Sequence, residues 1–373
     1  MTHLVFYMSG HGFGHASRDV EVINALLALD PSIRITIRTS VASWLLRRTV
    51  RGPFTHVPVE CDTGLSQIDS LRLDVDDTVG RAAAFMADFP ARVARDAAAL
   101  CQVGASAVIS DIPALGVAAG AAAGVPSLAL GNFSWDWAYA GYAGTESVVA
   151  AIRDAYRRAS VAFRLPMWGG FDAFPRVVDV PFIARRSARD PGETRRALGL
   201  PADTRLALVS FGGYGVDGLD LEALTRLDGY LVLVSDGMPA GPSREPLRAW
   251  GRRGAVQPLD EAAMYAAGLR YEDLVRAVDV VVTKPGYGIV AECIANDTAL
   301  LYTSRGAFVE YEVLVREMPR YLRAGFIPQP DLLGGRWGPY LDALLALPAP
   351  AERPALDGAE VVARGILGMT DRK

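Results

Sequence analysis

The chain gathers its reactive side chains into three short stretches, each placed directly after an apolar run. SGHGFGHASR, residues 9–18, sets Gly10, Gly12 and Gly14 among His11 and His15 behind LVFYM. A second run, AVIS from residue 107, ends on Asp111, and a third leads into KPGYGIVAE, which carries Lys284, Gly286, Tyr287, Gly288 and Glu292. Glycines in such places let the backbone turn tightly and bring N–H groups near a bound group, backed by the N-terminus of the helix that follows.

From Gly10 the string reads GHGFGH, with histidine at the helix entrance where the dinucleotide fingerprint has a small residue, and no acidic residue follows about twenty positions on. A dinucleotide is therefore disfavoured. His11 and His15 are four apart, but Gly12 and Gly14 speak against a helix across them, and no third ligand stands nearby at a usual spacing, so no metal is expected. His11 reads either as a brace bonded to the loop backbone or as part of an acceptor site. His15, at the entrance of the next helix, is expected to act as a general base. Asp111 has two compatible roles, as N-cap of the helix after it and as acceptor of the second ring N–H of His15, which would fix the tautomer.

Only Lys284 and Lys373 are lysines among 38 basic residues. The Pro-Gly-x-Gly turn after Lys284 leads into a helix starting near Tyr287, whose free N–H groups suit an anion, and a diphosphate would satisfy both turn and lysine. Glu292, inside that helix in apolar company, needs a partner: a pair of ribose hydroxyls, or a salt bridge to an arginine. Arg305, Glu310 and Glu312 suit sugar hydroxyls, although acids at a helix start also serve the dipole. SFGGYG, with Gly213 and Tyr214, repeats the strand-to-glycine pattern and would close over the same phosphates. Phe133 and Trp135, with Trp137 and Tyr139, either stack on an acceptor ring or pack in the core.

Elements that would position these groups alternate in both halves, as in parallel sheets covered on two faces. Strands are expected at Leu4–Met8, Ile33–Arg38, Ala107–Ser110 and Ser127–Leu130, then at Leu206–Ser210, Tyr230–Ser235, Val278–Thr283 and Ala299–Thr303. The first helix is expected to be capped by Ser17, with Asp19 and Glu21 at its positive end, and to stop at Asp30-Pro31. Residues 171–193, with three prolines and mixed charge, read as a connection between domains. The expected fold class is α/β, two Rossmann-like doubly wound domains, 1–180 and 181–373, facing a cleft, with the last helix able to pack back on the first domain.

Bulk composition fits that picture. At 373 residues the chain exceeds one hydrophobic core, and with 51% hydrophobic and 21% charged residues it is not disordered. A net charge of −4 without a basic block argues against nucleic acid as a partner. Three scattered cysteines without CxxC spacing point to a reduced, cytoplasmic protein. No stretch is long enough for a membrane span; WLLRRTVR at 44–51 reads as a surface helix with a solvated basic face, which leaves room for peripheral contact with an anionic membrane.

With these residues in place, the chain resembles GT-B glycosyltransferases of the clan of the peptidoglycan GlcNAc transferase and the plant small-molecule glucosyltransferases. It is more closely similar to the glycosyltransferase-like N-terminal segment of plant L-arabinokinases and its stand-alone bacterial relatives. SGHGFGHASR, VISDIPA, GNFSWDW, VVDVPF, SFGG, KPGYGIVAE, GRWGPYL and GAEVVARGIL carry the likeness over nearly the whole chain. It implies that His15 is the base and Asp111 its acidic partner, that the turn Gly286 to Gly288 receives the diphosphate, that Glu292 binds ribose, and that Glu310 holds the donor sugar, with Gly14 also on the donor side. It further implies a metal-independent transfer, with no cofactor beyond a nucleoside-diphosphate sugar as co-substrate. Ile289, where a hydroxyl residue is frequent, and the missing signature block of the plant enzymes leave nucleotide, sugar and acceptor open. No sugar-kinase domain accompanies the segment, so kinase activity is not expected.

The resulting expectation is an inverting transfer of a hexosyl or pentosyl group to the hydroxyl of a small molecule or glycan, with oligomeric state undetermined. A nucleotide-sugar-binding module without catalysis, or a nucleotide-sugar epimerase, is the alternative.

Overall fold

The structure, a computed structural model, describes residues 1–212, 215–235, 239–240, 245–246 and 253–370. The chain divides into two compact units. One comprises Met1–Ser66, Asp74–Ala184 and Pro354–Lys373; the other comprises Gln67–Leu73 and Arg185–Arg353.

Seven strands build the first unit: β1 (His3–Met8), β2 (Arg34–Thr39), β3 (Thr55–Pro58), β4 (Ala107–Asp111), β5 (Ser127–Phe133), β6 (Val161–Gly169) and β7 (Val177–Asp179), ordered β3-β2-β1-β4-β5-β6-β7. All neighbours are parallel. From Leu4 to Met8, β1 is apolar because both of its faces are covered. Leu4, Phe6 and Met8 enter one core with Val20, Ile23 and Leu26 of the helix Phe13–Leu29, while Val5 and Tyr7 enter a second core with Phe85, Leu100 and Leu115. The helix Gly358–Thr370 returns to this unit and adds Val362, Ala363 and Ile366 to the first of these cores.

In the second unit β8 (Arg205–Val209), β9 (Tyr230–Ser235), β12 (Val256–Leu259), β13 (Val280–Thr283), β14 (Ala299–Tyr302) and β15 (Ala324–Phe326) form a parallel sheet ordered β12-β9-β8-β13-β14-β15. A separate small antiparallel pair joins β10 (Pro239–Ala240) to β11 (Glu245–Pro246). Val209, Val232, Val280 and Leu301 pack on Trp337 and Leu341. Leu71, from the segment Gln67–Leu73, belongs to this core too, and Ser70 donates its backbone N–H to the Gly215 carbonyl at 3.3 Å.

Counting outward from β1 and from β8, both sheets follow the 3-2-1-4-5-6 strand order of dinucleotide-binding domains, and the first adds β7 as a seventh strand at its edge. In that order the connections leave the first and fourth strands in opposite directions, which opens a crevice beyond their carboxyl ends. The crevices lie at β1/β4 in one unit and β8/β13 in the other.

Each of the eight expected strands is present, with ends displaced by no more than a few residues. The first helix differs from expectation. It begins at Phe13 behind Gly12, whose φ of 78° suits glycine, and no side chain caps it. Ser17 therefore lies inside the helix, and Asp19 is buried in its second turn instead of facing the positive end.

Candidate active site

Register places the first cluster. Met8 pairs with Asp111 across β1 and β4, and the Ser9 N–H donates to the Asp111 carbonyl at 2.9 Å, so the glycine loop starts beside this aspartate. Gly10 permits the close approach: a Cβ there would lie 1.9 Å from Ser40 Oγ. Seven residues past Met8, His15 reaches back in the first helical turn, and its Nδ1 stands 2.8 Å from Asp111 Oδ1.

Arg18, one turn on, holds the same carboxylate by two bonds of 2.6 Å, Nε to Oδ2 and Nη2 to Oδ1. Its Nη1 donates to Asn132 Oδ1 from β5. Because an ionised carboxylate only accepts, His15 Nδ1 carries the proton of the 2.8 Å bond. The 2.9 Å between Arg18 Nη2 and His15 Nδ1 is then a contact of two donors that share Oδ1. Asp111 is fully buried. Burial opposes its charge, but Arg18 first and His15 second outweigh it and hold the carboxyl at about 2. Nδ1–H bound to Asp111 leaves Nε2 as the basic nitrogen of His15.

Capping plays no part in Asp111's role. The following helix, Ala114–Ala122, has Pro113 at its N-cap position and no side-chain cap.

A second carboxylate stands near His15. Asp62, in the loop after β3, accepts from Ser9 Oγ at 2.9 Å and from Trp135 Nε1 at 2.7 Å. Burial pushes its carboxyl up to about 6, against the pull of His15 and these two donors. His11 lies outside the Asp111 network: its Nδ1 accepts from the Leu65 N–H at 3.3 Å, and its ring meets Trp135 edge-on at 5.9 Å. Phe133 is buried with its ring edge-on to His15 at 5.7 Å, and Trp135 is 1% exposed. Gly14 lies in the first turn of the helix, beside His15. Phe13 and Trp44, 44% and 45% exposed, meet edge-on at 6.2 Å.

In the second unit Thr283 pairs with Tyr302 across β13 and β14, so Lys284 and Arg305 leave the ends of neighbouring strands. The turn after Lys284 enters the helix Tyr287–Asn296, whose N-cap Gly286 bears no side-chain cap. A Cβ at Gly286 would stand 3.5 Å from Lys284 Nζ, so the ammonium overhangs the turn. Burial and then Arg305 push that ammonium down to about 7, while Glu310 opposes them. Arg305 Nη1 donates to Glu310 Oε1 at 3.1 Å, and its guanidinium lies 3.6 Å from the centre of the Phe308 ring. Glu312 follows in the same first turn of the helix Glu310–Glu317.

Glu292 is buried and paired with Arg185, whose Nε donates to Oε1 at 2.7 Å and whose Nη2 meets the same oxygen. Burial raises its carboxyl above the usual range despite Arg185. The salt bridge weighed against a ribose contact is thus present, with both bonds on Oε1. Tyr287 and Gly288 form the first helical turn. Gly213 and Tyr214 lie outside the described residues.

Arg18, Asp62, Asn132 and Arg185 are members of these clusters that the sequence reading did not select. Arg18 was findable, since it stands three positions after His15 and so shares its helix face. Among the described residues, no group of three or more His, Cys, Asp or Glu side chains is arranged to hold a metal ion, and no helix is long and apolar enough to cross a membrane.

Solved structures share this architecture. The calicheamicin glycosyltransferase CalG4 superposes with a TM-score of 0.63 at 15% identity, covering 99% of this chain and 95% of that one. A Phytolacca americana enzyme, UGT2, solved with UDP-2-fluoro-glucose and pterostilbene, gives 0.60 at 13% identity, covering 100% and 94%. The fold is GT-B. The glycosyltransferase VinC, solved with dTDP, has the same GT-B fold, with a TM-score of 0.56 at 15% identity over 99% and 95% of the two chains. In sequence, the L-arabinokinase of Arabidopsis thaliana is 30% identical over 377 residues, covering 97% of this chain and 34% of that protein. The GT-B chain thus spans about a third of the length of the curated relative it matches. No family model matches it.

Proposed function

We propose that the protein is a metal-independent inverting glycosyltransferase that moves a sugar from a nucleoside-diphosphate sugar to an acceptor hydroxyl. The observation that carries this reading is the His15–Asp111 bond of 2.8 Å at the β1/β4 crevice of a GT-B fold. His15 Nε2 removes the acceptor's proton, Asp111 holds the ring in the Nδ1–H tautomer, and the acceptor oxygen bonds to the anomeric carbon as nucleoside diphosphate leaves. Attack opposite the leaving group inverts the anomeric centre. In the second unit, Lys284 and the N–H groups after Gly286 take the charge of the departing diphosphate. Glu292 offers Oε2 to the ribose while Arg185 occupies Oε1, and Arg305 and Glu310 hold the donor sugar. His11, Phe133 and the Asp62–Trp135 pair wall the acceptor side. Hexosyl or pentosyl specificity, nucleotide base and acceptor belong to the screen that tests the reading.

That screen combines UDP, TDP, GDP and ADP sugars with candidate acceptors and reads nucleoside diphosphate release. Release that needs both partners is the expected result. A second reading, a nucleotide-sugar-binding module without catalysis, draws on the chain's matching only a third of an L-arabinokinase. It predicts thermal stabilisation by a nucleotide sugar, about 2.7 kcal/mol at a hundred times Kd, with no release under any pairing.

A further inference from the structure

Asp19 is a buried acid that the proposed chemistry does not use. It lies four residues after His15, hence on the same face of the helix Phe13–Leu29, and is 0% exposed. Neither oxygen has an N–H or O–H partner among the described residues. Its carboxyl does approach that of Asp111 within hydrogen-bonding reach. Two carboxylates so placed cannot both be ionised without repulsion, and Asp111 is the one that holds Arg18 and His15.

We propose that Asp19 is a protonated positioning residue that donates its O–H to Asp111. An ionised carboxylate offers about four acceptor sites, and being sealed from solvent, Asp111 must fill them from protein. Three are filled by His15 Nδ1–H, Arg18 Nε–H and Arg18 Nη2–H. The Asp19 hydroxyl supplies the fourth. The proton also sets the charge of the cluster. With Asp19 neutral, the Arg18 guanidinium balances the Asp111 carboxylate. With Asp19 ionised, the buried cluster would carry one unbalanced negative charge beside His15. Burial and the neighbouring Asp111 charge both favour the protonated form of Asp19, while Arg18 on the same helix opposes it. Asn132 from β5 contributes only neutral polarity to Arg18, and Asp62 from the loop after β3 faces His15.

This inference deepens the reading of His15 as base, but its test needs no substrate. Infrared difference spectra of wild type against Asp19→Asn at neutral pH should show a protonated-carboxyl C=O band that the variant lacks. The NMR titration curve of His15 should be the same in both proteins, since an amide replaces one neutral donor by another. Absence of the band, or a His15 curve moved to lower pH in the variant, overturns the proposal. Should the variant fail to fold, carbon-13 spectra of wild type labelled at aspartate decide: one carboxyl that stays protonated at neutral pH supports the assignment, and a fully ionised set refutes it. Failure of the transferase reading would instead appear as a silent release assay with the band intact.

Discussion

Arg18 and Asp111 meet through two hydrogen bonds of 2.6 Å each, with the guanidinium 7% exposed and the carboxylate fully buried. Their pairing keeps a charged carboxylate beside His15 in a place where water cannot solvate it. Arg18→Met should therefore destabilise the protein by about 3–5 kcal/mol, the usual cost of stranding one member of a buried pair. Arg18→Met/Asp111→Leu should recover most of that loss in urea unfolding. A loss under about 1 kcal/mol for the single variant would mean that Asp111 is solvated some other way.

Acid titration probes the same carboxylate. Asp111 is held at about 2 against an ordinary 3.8, so its contribution to stability is complete above 3.8 and is lost as pH falls through 2. Wild type should shed stability in that window, and Asp111→Asn should start lower at neutral pH and show a flatter acid limb. Thermal scans from pH 5 to about 2 compare the slopes.

Removal of the base should separate binding from turnover. His15→Ala is expected to lower nucleoside diphosphate release by about 10²–10⁴ while leaving nucleotide affinity within about threefold. Unchanged release would remove His15 from the chemistry.

Lys284 predicts a pH dependence of donor binding. The free ammonium is held near 7, and a bound diphosphate would favour its charged form, so above that pH the complex must take up a proton. Affinity for nucleoside diphosphate should fall as pH rises from 7 to 9, by up to about tenfold per unit. Calorimetry in buffers of different ionisation heat would detect the uptake. In Lys284→Met binding should be weaker and its pH slope absent.

Arg185 and Glu292 form a testable pair in the second unit. Glu292→Ala leaves the buried guanidinium with Glu272 at 3.8 Å as its remaining ion-pair partner, and should cost about 3 kcal/mol in unfolding free energy. Arg185→Met keeps the carboxylate and should spare ribose recognition better than Glu292→Ala does. Equal losses of nucleotide affinity in the two variants would assign Glu292 to stability alone.

The sheets were readable to the extent that their strands are buried on both faces. β1, β4, β8 and β13 are built on the apolar runs Leu4–Met8, Ala107–Ile109, Leu206–Val209 and Val280–Val282, which mark them as strands. β6 carries Arg164 and Pro166, β3 is a partly exposed four-residue strand, and β7 and β15 span three residues each, so none presents a comparable run. At the site, His15 and Asp111 were legible as rare chemistry at strand ends, and the register of β1 against β4 explains why they meet. Arg18 was hidden in an arginine-rich chain, and Asp62 in a loop without periodicity. Arg185 was hidden by distance: it stands 107 positions before Glu292, and only the folded second unit joins them. Ser17 does not cap the first helix because the glycines before Phe13 do not delay it; Gly12 turns the chain and the helix starts at once.

The helix Gly358–Thr370 gives the fold a temporal order. Val362, Ala363 and Ile366 complete the interior that Leu4, Phe6 and Ile23 begin, whereas the intervening unit is finished at Arg353. Synthesis from the N-terminus therefore delivers Arg185–Arg353 before the helix Gly358–Thr370, so β1 can pair with β2 and β4 early while the core it shares with Val362, Ala363 and Ile366 is completed only after the second unit has been made.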